Sequence, residues 1–224
     1  PANPTEAFEF GAQAFDLADF FQTTIFVMLD LDIGMQEWLT EPFKGDASRK
    51  LNRGKIITYE DLEAGKAFGR YLDVDGDAVP YRTLPSTHPS KGSYFTRGSS
   101  HDRHARYSEK GDDYTDGMNR LLRKWETMKS HVPAPIRRDA KRRTPDGVIY
   151  FGSTDPAMAE ALAALEKQGV HLDALRIRAF PFAEEVFEFI RAHEQVFVIE
   201  QNRDAQLKSL LVNEGGVHPA RLPS

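Results

Sequence analysis

Between residues 146 and 211 apolar runs and amphipathic stretches alternate without interruption, in the order βαβαβα. Residues 147–152, with Val148, Ile149, Tyr150 and Phe151 between two glycines, predict a buried strand. Ser153, Thr154, Asp155 and Pro156 follow as a helix start, a capping residue ahead of a proline suited to the first turn. Strong helix formers fill 157–167, and Gly169 supplies a left-handed end. A second strand is expected over 172–180, a second helix over 181–193, a third strand over 195–200 and a last helix over 203–211. In the middle helix Phe182, Val186, Phe189 and Ile190 share one face. Amphipathic helices between near-continuous apolar strands predict a parallel sheet covered on both faces, the α/β class.

A second apolar block opens the chain. Asn3, Pro4 and Glu6 fit an N-cap, a first-turn proline and an acidic residue favoured by the helix dipole. Phe8 and Phe15 on one row, and Phe10, Ala14, Leu17 and Phe21 on another, give this helix a wide apolar surface. Residues 24–29 then predict a strand buried on both faces. Such a strand needs sheet neighbours, and the expectation is that they lie upstream, in a longer polypeptide of which these residues are a piece. The competing reading makes 24–29 a fourth strand of the C-terminal sheet, across a connection far longer than usual.

Composition narrows the function classes. With 34 acidic and 29 basic residues the net charge is −5, which argues against a general nucleic-acid binder. There is no cysteine, so the chain itself holds no disulfide, thiolate zinc site or cysteine-ligated cluster. No apolar run reaches the roughly 20 residues of a membrane helix and no secretory signal is present, so a soluble cytoplasmic protein is expected.

Candidate chemistry is concentrated in the middle. Asp73, Asp75 and Asp77 resemble a calcium loop only superficially: Ala78 stands where the loop requires glycine and Leu84 where it requires glutamate. A hairpin turn with Asp75-Gly76 at its tip is the natural reading. Residues 84–104 form a Gly/Ser-rich loop carrying His88, His101 and His104 with Arg97, Asp102 and Arg103. A metal site from the three imidazoles, an anion site from the arginines and backbone amides, and a loop packed on another domain or subunit are three readings of it. A helix over 114–129 has Met118, Leu121, Leu122 and Trp125 on its apolar face. The basic run 137–143 reads as a solvated linker at a domain junction. Gly152, Ser153, Thr154 and Asp155 at a helix start admit a weak nucleotide-binding reading, without any glycine-rich or lysine-bearing phosphate loop.

Several blocks, in order, carry a family resemblance: Pro4 to Phe8 with Ala14 to Ala18; His88-Pro89 and Tyr94 to Gly98; His101-Asp102 with Ala105 to Glu109; Phe151 to Pro156; and Val198 to Leu207. Together they resemble the C-terminal half of the alpha subunit of 2-oxoacid:ferredoxin oxidoreductases, most closely the 2-oxoglutarate type. The resemblance implies that residues 1–40 end a pyrimidine-binding domain for thiamine diphosphate, that 41–145 is a loop-rich connection with one helix, and that 146–224 is a transketolase C-terminal-like domain. It implies oxidative decarboxylation of a 2-oxo acid, with coenzyme A taking the acyl group and electrons passing through a [4Fe-4S] cluster to ferredoxin. Pyruvate or a branched-chain 2-oxo acid is the alternative substrate.

The same resemblance places thiamine diphosphate and magnesium in the holoenzyme and the cluster on a partner beta subunit. The family's Tyr-Pro-Ile-Thr-Pro motif and its activating glutamate lie upstream, so no catalytic residue is expected in this chain, which alone is expected to be inactive. Where the family reads Gly-His-Asp-Glu, this chain has Ser100, His101, Asp102 and Arg103, a change of two charge units. Arg97, His101, Asp102 and Arg103 are the candidates for a substrate channel or subunit interface. A non-catalytic scaffold with 86–109 as a docking loop is the rival reading.

Overall fold

The computed structural model describes residues 1–224. The chain divides into two compact units, one made of Pro1–Ala12, Phe26–Gly45 and Val132–Ser224, the other of Gln13–Ile25 and Asp46–His131. Helix α1 (Pro4–Phe21) contributes its first turns to the former and its remainder to the latter.

The first unit is built on a sheet of four strands: β1 (Ile136–Arg138), β2 (Asp146–Phe151), β3 (Asp173–Ile177) and β4 (Gln195–Val198), in the order β1-β3-β2-β4. β2 pairs in parallel with β3 and β4, and β1 closes one edge antiparallel to β3. The helices are α5 (Thr154–Lys167), α6 (Glu184–Ala192) and α7 (Gln206–Gly215). The sheet is thus α/β and mostly parallel, as the apolar periodicity requires. Alternate residues of β2 serve two clusters: Ile149 packs with Leu175, Val186, Phe189, Ile190 and Leu211, whereas Val148 and Tyr150 pack with Met158 and Ala174. That is the two-sided burial of a central parallel strand.

Residues 24–29 are not the fourth strand: they join no ladder of this sheet, and Phe26, Met28 and Leu29 are exposed, so the reading that adds them to the C-terminal sheet fails. The fourth strand comes instead from the basic run read as a linker. Ile136 faces Arg176, and the charges that suggested solvation are neutralised in place: Arg138 contacts Asp155 at 2.9 Å and Arg137 contacts Asp173 at 3.6 Å.

The Glu200–Asn202 segment explains why α7 starts three residues later than the pattern suggests. The Glu200 carboxylate accepts from the backbone N–H groups of Leu207 and Lys208, and Asn202 Oδ1 accepts from that of Gln206. Ala205 takes a left-handed conformation, φ 49°, to bring those donors round. A carboxylate on the first turn satisfies donors the helix leaves free and complements its dipole.

The second unit contains α3 (Tyr59–Glu63) and α4 (Gly111–Met128) among long loops. Its core is Phe21, Val79 and Met128, with Leu17, Phe20, Ile25 and Trp125 packed against them. The Asp73–Asp77 segment bends but joins no strands, so the hairpin expectation fails. Lys55 Nζ instead gathers Asp75 and Asp77 at 2.7 and 2.6 Å.

Candidate functional site

The Glu6 carboxylate is the most tightly held ionic group of the first unit. Asn3 caps α1 by accepting from the Glu6 N–H at 2.9 Å, as its position predicts. The Glu6 side chain turns inward, however, and accepts from the Ala2 N–H at 2.6 Å, from Arg176 at 2.7 and 3.0 Å and from Arg178 at 2.7 Å. Burial alone pushes its pKa up, but Arg176, the Ala2 N–H and Arg178 outweigh burial and hold it at about 2. Asp155 lies 3.7 Å from Arg176 and also accepts from the Tyr150 hydroxyl, whose pKa burial and Asp155 push up to about 12.

The start of α5 is already engaged. Ser153 donates from its N–H to Asp30 at 3.3 Å and from its hydroxyl to Asp32 at 3.2 Å. Asp30 in turn caps α2 (Leu31–Gly34) through the Ile33 N–H. Two carboxylates therefore occupy the place a phosphate needs, and the nucleotide reading of Gly152–Asp155 is corrected by the chain's own acids.

In the second unit the loop that looked like one polar constellation disperses. The His88 imidazole lies on the Tyr59 ring, centroids 4.8 Å apart. Its Nδ1 accepts from the N–H groups of Ser90 and Lys91, so Nε2 carries the proton and donates to Glu63 at 2.8 Å. His101 stacks on Tyr71 at 3.8 Å and bridges Tyr107 through its backbone. His104 sits near Gly69, where an added Cβ would come 2.9 Å from its Nδ1. The three rings thus have three separate surroundings, and no group of three or more His, Cys, Asp or Glu side chains is arranged to hold a metal ion.

The four expected candidates also divide. Asp102 organises its own turn: its carboxylate accepts from the N–H groups of His104 and Arg106 at 2.8 and 2.9 Å, with Ala105 buried in a left-handed conformation between them. Burial raises the Asp102 carboxyl, but these backbone donors hold it below its ordinary value. Arg103 forms a fork with Asp116 of α4 at 2.7 and 2.8 Å, which compensates the charge it introduces. Arg97 is exposed, its guanidinium 5.5 Å from the Tyr107 ring centroid. Because the Arg103–Asp116 pair is largely solvated, Arg103→Gln is expected to lower stability by less than about 1 kcal/mol in urea unfolding. A larger loss would show that this pair anchors the loop.

What sequence reasoning missed is a cavity of about 530 Å³ beside this loop, lined by Lys66, Phe68, Arg70, Lys91, Tyr94 and Arg106 among others. Its cations come from three separated segments, so no local run of basic residues announces it. Two glycines shape it: a Cβ at Gly69 would stand 2.7 Å from the Arg103 carbonyl oxygen, and one at Gly92, φ 74°, 2.7 Å from Thr83.

No family model matches the chain. Among curated proteins, it is 27% identical over 223 residues to the alpha subunit of 2-oxoacid:ferredoxin oxidoreductase 2 of Aeropyrum pernix, covering 96% of this chain and 33% of that one. It is 23% identical over 221 residues to the 2-oxoacid:ferredoxin oxidoreductase alpha subunit of Saccharolobus solfataricus, with the same coverages. The chain therefore spans about a third of the length of the curated relatives it matches. Among solved structures it resembles a 2-oxoglutarate:ferredoxin oxidoreductase from Magnetococcus marinus with 2-oxoglutarate, coenzyme A and succinyl-CoA bound. That likeness has a TM-score of 0.67 at 16% identity, over 82% of this chain and 31% of the other, and it establishes the fold.

Proposed function

We propose that this chain, which resembles the alpha subunits of 2-oxoacid:ferredoxin oxidoreductases along nearly its whole length, is part of such a subunit in an enzyme of the 2-oxoglutarate type. The observation that carries the reading is the alignment of 96% of the chain with two curated alpha subunits. The choice of 2-oxoglutarate over pyruvate or a branched-chain 2-oxo acid rests on the structural relative. In this reading a partner beta subunit bears the iron-sulfur cluster, ferredoxin takes the electrons and coenzyme A the acyl group. The chemistry of decarboxylation comes from thiamine diphosphate with magnesium, bound elsewhere in the assembly.

The residues of this chain do not fit that cofactor by themselves. Activating the thiamine pyrimidine calls for a carboxyl group free to share a proton. Glu6, buried in the first unit, already accepts four hydrogen bonds and is held ionised by two arginines. With no cysteine, the chain offers no thiolate to a cluster either. No catalytic residue is assigned here, and the chain's contribution is to position and assemble.

Its apolar surface supports that role. Phe26, Met28, Leu31, Met35 and Leu39 are all exposed, as is Phe15 on α1. Over 24–29 this is the pattern of a doubly buried strand, and it fits the end of a pyrimidine-binding domain whose other strands belong to the remainder of the subunit. A pure scaffold would use the same surface, and cofactor dependence separates the two. In the enzyme, thiamine diphosphate bridging the subunits tightens their association, whereas a scaffold assembles equally without it.

The decisive experiment is viologen reduction by the intact native assembly. Reduction with 2-oxoglutarate is expected, abolished when coenzyme A is left out and at least about tenfold slower with pyruvate, the ratio a site built for a second carboxylate supports. No reduction with any 2-oxo acid, from material retaining cluster and thiamine, would overturn the assignment.

A further inference from the structure

Helix α4 turns outward the side that its sequence marks as apolar. Tyr114, Met118, Leu121 and Leu122 are all exposed, Leu122 at 65%. Their spacing of four, three and one puts them on a single stripe. The opposite side is anchored within the unit. Arg120 is buried and donates to the Ala78 carbonyl oxygen at 3.1 Å, Thr127 donates to that of Asp77 at 2.8 Å, and Met128 packs with Phe21 and Val79. Gly117 borders the stripe one turn before Leu121, and a Cβ built there would meet no atom within 4 Å. A glycine inside a helix costs about 1 kcal/mol against alanine, and no contact in the unit requires this one. Such a position leaves room for the close approach of a second helix.

The charges along α4 specify which helix. Asp112, Asp113 and Asp116 occupy its first two turns with no base among them, whereas Arg120, Arg123, Lys124 and Lys129 follow with Glu126 as the single acid. Acids first and bases last suit the helix's own dipole, but the dipole calls for no apolar stripe between them. The pattern is complementary to itself when reversed. About a centre at residue 120, Met118 and Leu122 exchange places, Tyr114 comes opposite Glu126, whose carboxylate can accept from its hydroxyl, and Asp112 comes opposite Lys129. Asp112 and Glu126 are exposed, and Lys129 keeps Glu126 at 2.8 Å while gaining the second acid. Antiparallel dipoles favour the same arrangement.

We propose that the face of α4 carrying Tyr114, Met118, Leu121 and Leu122 pairs antiparallel with the same face of a second copy of this chain. A two-fold axis makes such an interface isologous, so every contact is made twice. One helix face buries less than the about 800 Å² per partner of a standard interface, and the pair is expected to form and separate at micromolar protein. The inference uses none of the chemistry proposed above, and viologen reduction does not bear on it.

Because the chain has no cysteine, oxidative cross-linking of the full native assembly tests the pairing. Leu121→Cys stands beside the two-fold axis, within reach of its own symmetry mate. On mild oxidation it should form a disulfide between two copies of this chain, read by mass spectrometry as a linked pair of identical peptides. Tyr114→Cys stands about 18 Å along the helix axis from its mate, beyond the about 7 Å a disulfide spans, and should form none. Both positions are exposed, so neither change disturbs the packing of the unit. Adding Asp112→Lys to Leu121→Cys is expected to slow cross-linking at least about tenfold at micromolar protein, because like charges then meet at both ends of the pair. Adding Lys129→Asp as well should bring the rate back to within about threefold of Leu121→Cys alone, since the opposite charges have only exchanged places. Three outcomes would overturn the proposal. No linked peptides in Leu121→Cys would leave the face to another segment of the assembly. Equally fast linking in Tyr114→Cys would mean random encounter, and a slowing that Lys129→Asp deepens would assign the face to a partner of different sequence.

Discussion

Replacing Glu6 by alanine is expected to destabilise the protein by about 3–5 kcal/mol, the cost of breaking a buried ion pair from one side. Arg176 and Glu6 are each about 8% exposed at the side chain and Arg178 22%, so the Arg176 guanidinium above all has little water to turn to. Removing all three partners together, as Glu6→Leu, Arg176→Met and Arg178→Leu, is expected to cost less than Glu6→Ala, because no uncompensated charge stays buried. The pH dependence follows from the depressed pKa. The unfolded carboxyl titrates near 4.5 and the folded one at about 2. The stabilisation is therefore complete above 4.5 and is lost as the pH falls through that window. A shift of this size corresponds to about 3 kcal/mol, which urea unfolding between pH 5 and pH 2 reads as a slope. In Glu6→Gln that part of the slope should vanish. A Glu6→Gln variant within 1 kcal/mol of the parent, with an unchanged acid slope, would show that the arginines are satisfied by other means.

Glu6 also shows where reading from sequence stops. Its place as the third helical residue after Asn3 is legible, and so is its favourable interaction with the dipole, because both follow from neighbours three positions apart. Arg176 and Arg178 lie 170 and 172 residues further along the chain, and nothing local links them to Glu6. The strands over 147–152, 172–180 and 195–200 are legible because burial on both faces leaves unbroken apolar runs, and the observed ends differ by a few residues. Three residues of β1, of which Ile136 alone is apolar, carry no such signal. An edge strand held by one neighbour and by ion pairs looks like a linker.

The candidate site was legible as a region and illegible as a geometry. His88, His101 and His104 are close in sequence, and a shared metal ion is one of three readings of that closeness. Left-handed turns at Ser86, Gly92, Gly98 and Ala105 send the three imidazoles to Tyr59, Tyr71 and Gly69 instead. Conversely Lys66, Arg70, Lys91 and Arg106 converge on one cavity although no run of basic residues contains them. Arg103 finds Asp116 on α4, a partner visible only once the helix is placed.

The second large effect is expected at the centre of the sheet unit. Phe189 is 1% exposed, and its ring lies directly over Gly147 of β2: a Cβ built there would come 2.8 Å from the ring carbons and 3.2 Å from Cγ of His193. Phe189→Ala removes the ring from a packed core and should cost about 3–5 kcal/mol. Gly147→Ala should also destabilise, by about 1–3 kcal/mol, because the methyl group meets a side chain with no free volume to enter. In the Phe189→Ala background the sign should reverse. There the methyl enters the space the ring vacated, and alanine suits an extended strand better than glycine does. The coupling between the two sites is thus expected to exceed about 1 kcal/mol, read from four urea midpoints in a double-mutant cycle. Additive losses would mean that β2 and α6 shift apart to accommodate either change. In that event the glycine would be serving the strand's backbone and not its approach to Phe189.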